Sequence, residues 1–307
     1  MNKTYFLASS LFKNKLKGKK CVVLDNYIAM NNPELSHGEG ELHPCPRNSK
    51  DDWIRYEKEL VNKHNKYFTI LSEKLNNIHN VKHNDRYWQQ VFYFGLKRYI
   101  ALVYEFYNQV DNRFDYKNHD FNVVYKSSFY TPSDLEDLRA YLSYSELAYE
   151  QLFTIYIEKF HPELASDNRY INIEKYKPSI KNTESFIRKI IFYVYDKFKI
   201  FGTKVILLGV QYDSSKTFSL ILKSRFKIFL YMLVPFKRHD VNSNEVDINK
   251  RKDLSESGGA GDRFDDFFFK TIESFFPTIF IEDYKQVSSY YDTQAKLFPM
   301  AEHIISE

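Results

Sequence analysis

Between Ser49 and Tyr107 the chain carries two long apolar stripes of helical period, and they constrain the fold more than any other feature. Trp53, Tyr56, Leu60, Tyr67, Leu71, Leu75 and Ile78 recur at the spacings that put side chains on one helix face. Ser49 or Asp51 can cap this helix, and the acidic start suits the helix dipole. A second stripe, Trp88, Phe92, Leu96, Tyr99, Val103 and Tyr107, follows from a start near Asp85. Two such helices joined by a short polar turn are expected to pack as an antiparallel hairpin.

The flanking segments add strands. Tyr5–Ala8 and Cys21–Leu24 are short apolar runs on either side of a basic turn containing Gly18, and both read as buried strands. Asn26 to Lys50 holds three prolines and two glycines and reads as a long loop. Phe121–Tyr125 reads as a strand, Leu135–Tyr141 and Ser145–Phe160 as helices, and Glu184–Phe198 as a further helix. Lys204–Val210 has the continuous apolar character of a central parallel strand, leading through Asp213, Ser214 and Ser215 into a helix over Thr217–Leu230. His239–Asp262 is polar and reads as a mobile loop, Arg263–Phe275 as a helix ended by Pro277, and residues 303–307 as the beginning of a strand. The fold class is therefore α/β, a Rossmann-like parallel sheet with a large helical content.

Charge and cysteine usage exclude several classes. With 44 basic and 40 acidic residues the chain lacks the basic excess of a nucleic-acid binder, and no nucleic-acid partner is expected. Two cysteines, Cys21 and Cys45, do not make a disulfide framework. The first residues are too short an apolar run for a signal peptide, and the longest apolar run, Ile228 to Phe236, falls well short of a membrane span. The expectation is a cytoplasmic protein. The lysine cluster at Lys13, Lys15, Lys17, Lys19 and Lys20 reads either as a solvated turn or as a peripheral contact with the inner face of a membrane. The 27 Phe and 25 Tyr reflect either the codon bias of an AT-rich genome or stacking surfaces for sugars or bases.

Candidate chemistry is sparse. Gly258-Gly259-Ala260-Gly261 lacks the preceding strand and the lysine of a phosphate loop and reads as a flexible tip. His37, Glu39, Glu41 and His43 gather in a glycine-containing loop, as a surface feature or as a contact to an acceptor; no metal spacing is evident and no cofactor is expected. His79, Arg86, Tyr87 and Trp88 flank the helix–helix turn. There an Arg fork and aromatic faces could hold an anion or a sugar, or could simply tie and fill the hairpin. Asp213 lies where a parallel strand gives way to a helix, as a ligand contact or as a helix cap.

Leu75-Asn76, His79 and Arg86-Tyr87-Trp88 together form an LN-x-x-H…RYW signature. With Phe6-Leu7-Ala8-Ser9-Ser10, similar to an opening "FLATT", and Asp51-Asp52 ahead of the first helix, it resembles transferases encoded in O-antigen and other surface-polysaccharide gene clusters. Trp53 stands where that family has an Arg, and Tyr93-Phe94-Gly95 replaces its Gly-Pro-Trp. Arg263, Pro277 and Glu282-Asp283-Tyr284 resemble a later segment of the family. Family members run to about twice this length, with a C-terminal nucleotide-sugar-binding half.

The resemblance implies the N-terminal, acceptor-side half of a GT-B-type glycosyltransferase. Residues 1–300 would form one Rossmann-like domain with a helical insertion over about 50–200, and 301–307 would begin a C-terminal domain missing from this chain. A sugar or lipid-linked glycan is the implied acceptor, and the nucleotide-sugar donor would bind only through the missing half. Asp51, Asp52, His79 and Arg86 are the implied catalytic positions and Tyr87, Trp88, Arg263 and Glu282 the implied substrate-binding ones; His43 and Asp213 join the substrate-binding set from their own loop and strand-end positions. The alternative is a non-catalytic binding or scaffold protein, or an inactive truncated paralogue.

Overall fold

The computed structural model describes residues 4–12, 20–24, 49–165, 169–174, 176–177, 205–208, 219, 223, 228–231, 245–256, 261–297 and 303–306. The chain divides into two compact units. One is Met1–Pro178 with Ser243–Glu282; the other is Ser179–Asn242 with Asp283–Glu307. The architecture is mixed α/β, with short parallel sheets and mostly helical content.

The first unit is organised by a helical hairpin, α1 (Lys50–His79) and α2 (Asp85–Arg113). Ser49 caps α1 through a reciprocal pairing with Asp52, so each satisfies an otherwise orphaned N–H of the first turn. The helix ends at Asn80, whose φ of 52° lies in the left-handed region that Asn tolerates. Asn84 caps α2. The second stripe is buried throughout, with Trp88 and Val103 at 0 % exposure. The first is buried only in its second half: Tyr67, Leu71 and Leu75 are inside, whereas Trp53 is 46 % exposed.

Against α2 pack α3 (Leu135–Tyr144), α4 (Glu146–Phe160) and α6 (Arg263–Phe275), while α5 (Ile248–Ser255) rests on α1 and α6. Gly95 permits the close approach of α3, because a Cβ there would sit 2.3 Å from Leu135 Cδ2. The aromatic residues mostly fill this interior. Tyr67 lies flat on Phe268 at 4.2 Å between centroids, and buried tyrosine hydroxyls find partners, Tyr99 on Thr271 at 2.6 Å and Tyr141 on Gln151 at 2.8 Å.

Three strands of this unit form one sheet. β1 (Thr4–Leu7) is central, with β2 (Cys21–Val23) and β3 (His119–Asp120) parallel on its two sides. Of the expected strand over Phe121–Tyr125 only Val123–Val124 is strand, and a separate strand, β3, precedes it. β3 ends at Asp120, whose carboxylate takes the Phe121 N–H, and β4 (Val123–Val124) pairs in parallel with β5 (Tyr170–Ile171) in a separate two-stranded sheet. Burial of Phe121 against Phe114 and Phe153 turns the chain between the two.

In the second unit β6 (Val205–Leu208) is flanked in parallel by β7 (Ile228–Tyr231) and β8 (His303–Ser306), and α7 spans Tyr284–Leu297. The helix expected to run to Leu230 is therefore corrected at its end. Ile228-Phe229-Leu230-Tyr231 is β-branched and aromatic, and pairing with β6 outweighs its helical spacing. The loop expected over His239–Asp262 contains α5, capped by Asp247. The expected helix Glu184–Phe198 and the basic run at Lys13–Lys19 lie outside the described residues.

Candidate functional site

Ala8, Ser9 and Ser10 leave the carboxyl end of β1. Because β2 and β3 lie on opposite sides of β1, the strand order reverses here, and open parallel sheets hold ligands at such a point. Ser9 Oγ donates to Glu150 Oε1 at 2.5 Å and accepts the Leu11 N–H at 3.1 Å. Ser10 Oγ donates to Glu146 Oε1 at 2.5 Å. Glu146 and Glu150 are one turn apart on α4, so their carboxyl groups meet the two consecutive serines in step.

The two carboxyl groups differ in environment. Glu150 is 1 % exposed, whereas Glu146 faces solvent. Burial pushes the Glu150 carboxyl up to about 8; the Ser9 hydroxyl pulls the other way, and the negative charge of Glu146 adds to the rise. Glu150 therefore keeps its proton at neutral pH. The cluster offers a buried acid, two hydroxyls and an open carboxylate, a set matched to a hydroxyl-bearing ligand.

Sequence reasoning singled out Ser9 and Ser10 only through a family resemblance and missed both glutamates. The available signal was a carboxylate on the inward face of a largely apolar helix. The same face carries Gln151, which holds the backbone of Tyr130, and Thr154, which accepts from Val124 N at 3.0 Å.

The LN-x-x-H…RYW residues come together at the closed end of the hairpin. Asn76 Oδ1 accepts from Trp88 Nε1 at 3.0 Å and from His83 N at 3.1 Å, while its Nδ2 donates to His83 O at 2.8 Å. The His83 ring stacks on Tyr87 at 3.7 Å, and both Tyr87 and Trp88 are buried. His79 Nε2 lies 2.8 Å from the Phe280 carbonyl oxygen. Arg86 is exposed.

The other expected positions are dispersed. Asp52 belongs to the cap of α1, where the Ser49 hydroxyl and Arg55 hold its carboxyl below the usual range despite some desolvation, and Asp51 is exposed beside it. Nearly the whole of α1, roughly 40 Å at 1.5 Å per residue, separates them from His79. Arg263 pairs with Asp111 at 3.0 Å and covers the Phe160 ring. Glu282 is buried as the partner of Arg251, at 2.7 Å and 2.8 Å. His43 and Asp213 lie outside the described residues. Among the described residues no three His, Cys, Asp or Glu side chains gather where they could hold a metal ion.

The family comparison gives the class of this parallel-stranded α/β protein with its carboxyl–hydroxyl cluster at the end of the first strand. The chain belongs to the LIC12162 family of transferases, whose model matches residues 5–307. No curated protein and no solved structure matches it. Among the described residues, no helix is long and apolar enough to cross a membrane.

Proposed function

We propose that this transferase is the acceptor-side part of a glycosyltransferase that builds bacterial surface polysaccharide. The observation that carries the reading is the pairing of Ser9 and Ser10 with Glu150 and Glu146 at the carboxyl end of β1. A sugar presents several hydroxyls at fixed angles, and a set of fixed acceptors and donors can orient one of them for attack. The acceptor is a sugar or a lipid-linked glycan, reached from the cytoplasm or at the inner membrane face. The donor is a nucleotide sugar held by a nucleotide-binding half that works with this one. Catalysis then rests on positioning and on stabilising the leaving phosphate. The sheet supports a likeness to the first half of a GT-B enzyme only in its parallel pairing and its central first strand.

A transfer assay tests this. The full chain, together with a co-expressed nucleotide-binding half, is incubated with radiolabelled nucleotide sugars or acyl thioesters and membranes from a polysaccharide-producing bacterium. Label moved into lipid-linked glycan, and reduced at least tenfold by Glu146→Ala, supports the reading. Label moved only from a non-sugar donor, such as an acyl thioester, overturns it.

A non-catalytic binding role is the second reading. It is favoured by the use of Asn76, His79, Tyr87 and Trp88 in closing the hairpin. Retained glycan binding with no turnover in the same assay would select it.

A further inference from the structure

The protein puts most of its large aromatic side chains inside, and Tyr144 is a marked departure. It is 77 % exposed, the most exposed of the large apolar side chains described. It is the last residue of α3, and Ser145 serves both as the end of α3 and as the start of α4, so Glu146 follows two positions later in a new helix. The break is sharp: Ser145 has extended backbone, its N–H returns to Tyr141 O at 3.0 Å, and no side chain caps α4.

Tyr144 thus stands two residues before Glu146, whose open carboxylate accepts from the Ser10 hydroxyl, and Leu11, 37 % exposed, follows that serine.

These are complementary to the two faces of a pyranose. The C–H face of a sugar lies on an aromatic ring, and vicinal hydroxyls donate to a carboxylate. Resting on the acceptor-side reading above, we infer that Tyr144, Glu146 and Ser10 form a sugar subsite that takes a neutral hexose unit of the acceptor glycan. Tyr144 is the stacking platform and Glu146 receives the hydroxyl protons. Glu150, protonated beneath, is a positioning residue that fixes the Ser9–Ser10 turn.

The test is a glycan array of bacterial surface-polysaccharide fragments, probed with the fluorescently labelled full chain and with Tyr144→Ala, Tyr144→Phe and Glu146→Gln. Both positions are exposed, and circular dichroism checks that each variant is folded. The inference expects signal from the wild type and from Tyr144→Phe, and a loss of about tenfold or more in Tyr144→Ala and in Glu146→Gln. Equal signal from all four proteins overturns the subsite and leaves glycan binding standing. No signal from the wild type on any glycan overturns the subsite and the acceptor-side reading together.

Discussion

Trp88 and Asn76 meet across the helical hairpin, with the indole N–H donating to the amide oxygen at 3.0 Å. Asn76 also brackets His83 through both of its backbone groups, so one side chain fixes the turn and the buried indole together. Replacing it by Leu leaves a buried Trp N–H unpaired and releases the turn. Asn76→Leu should destabilise the protein by about 2–4 kcal/mol, read as a lower urea midpoint. Asn76→Asp keeps the acceptor for Trp88 and His83 N but sets a carboxylate oxygen against His83 O, so it should still destabilise, by less than Asn76→Leu.

Arg251 and Glu282 form a buried pair, each side chain 2 % exposed, and Arg251 also donates to the carbonyls of Glu273 and Phe276. Removing either partner strands the other charge inside. Arg251→Met and Glu282→Leu should each cost about 3–5 kcal/mol. The double variant should recover a large part of that loss, which a double-mutant cycle in urea measures directly.

Glu150 imposes a pH dependence. Its folded value is raised to about 8 from a model-peptide 4.5, so the folded state binds more protons than the unfolded state between those limits. Its favourable contribution is complete below pH 4.5 and is lost as pH rises through 8. Relative to Glu150→Gln, the wild type should lose about 3 kcal/mol between pH 4.5 and pH 7. Denaturation curves across that range check it; parallel pH profiles for the two proteins would defeat the assignment.

Asp265 gathers Lys66 at 2.5 Å, the Tyr67 hydroxyl and the Asp262 N–H. Burial alone would raise its carboxyl, but Lys66, Tyr67 and the Asp262 N–H outweigh it and hold the group below the usual range. Its contribution is present above pH 3.8 and is lost as pH falls through its lower folded value. Asp265→Asn should reduce stability at neutral pH by about 1–3 kcal/mol and weaken the acid sensitivity, seen as a shallower fall in melting temperature toward pH 3.

Gly95 faces Leu135 so closely that a larger side chain must push α3 outward. Gly95→Val should cost about 1–3 kcal/mol. In Gly95→Ala the clash falls on the movable end of Leu135, and the gain in helix propensity offsets it. That variant should sit within about 1 kcal/mol of the wild type in the same unfolding measurement.

The hairpin was legible because periodicity reports burial one residue at a time. The second stripe, Trp88 through Tyr107, is inside along its whole length, and α6 spans the expected Arg263–Phe275. Trp53 shows the limit of the same signal. It continues the stripe of α1, yet it stays 46 % exposed because a sequence pattern does not say where the covering elements stop. The helix α5 was not legible at all, since it is polar nearly all round and is held by Asp247 and by Arg251 reaching Glu282, 31 residues away.

The sequence by itself determined the local matters: the two long helices, the cap at Ser49 and the second start near Asp85, the apolar strands at Thr4–Leu7 and Val205–Leu208, and membership of a transferase family. These depend on neighbours within a few positions, or on motifs compared residue by residue. Only the tertiary structure decided that Asn76, Tyr87 and Trp88 close the hairpin, and that Ser9 and Ser10 meet Glu150 and Glu146 across 141 and 136 residues. A carboxyl group acquires its proton affinity from the dielectric and charges around it, and for Glu150 those come from packing between segments far apart in the chain.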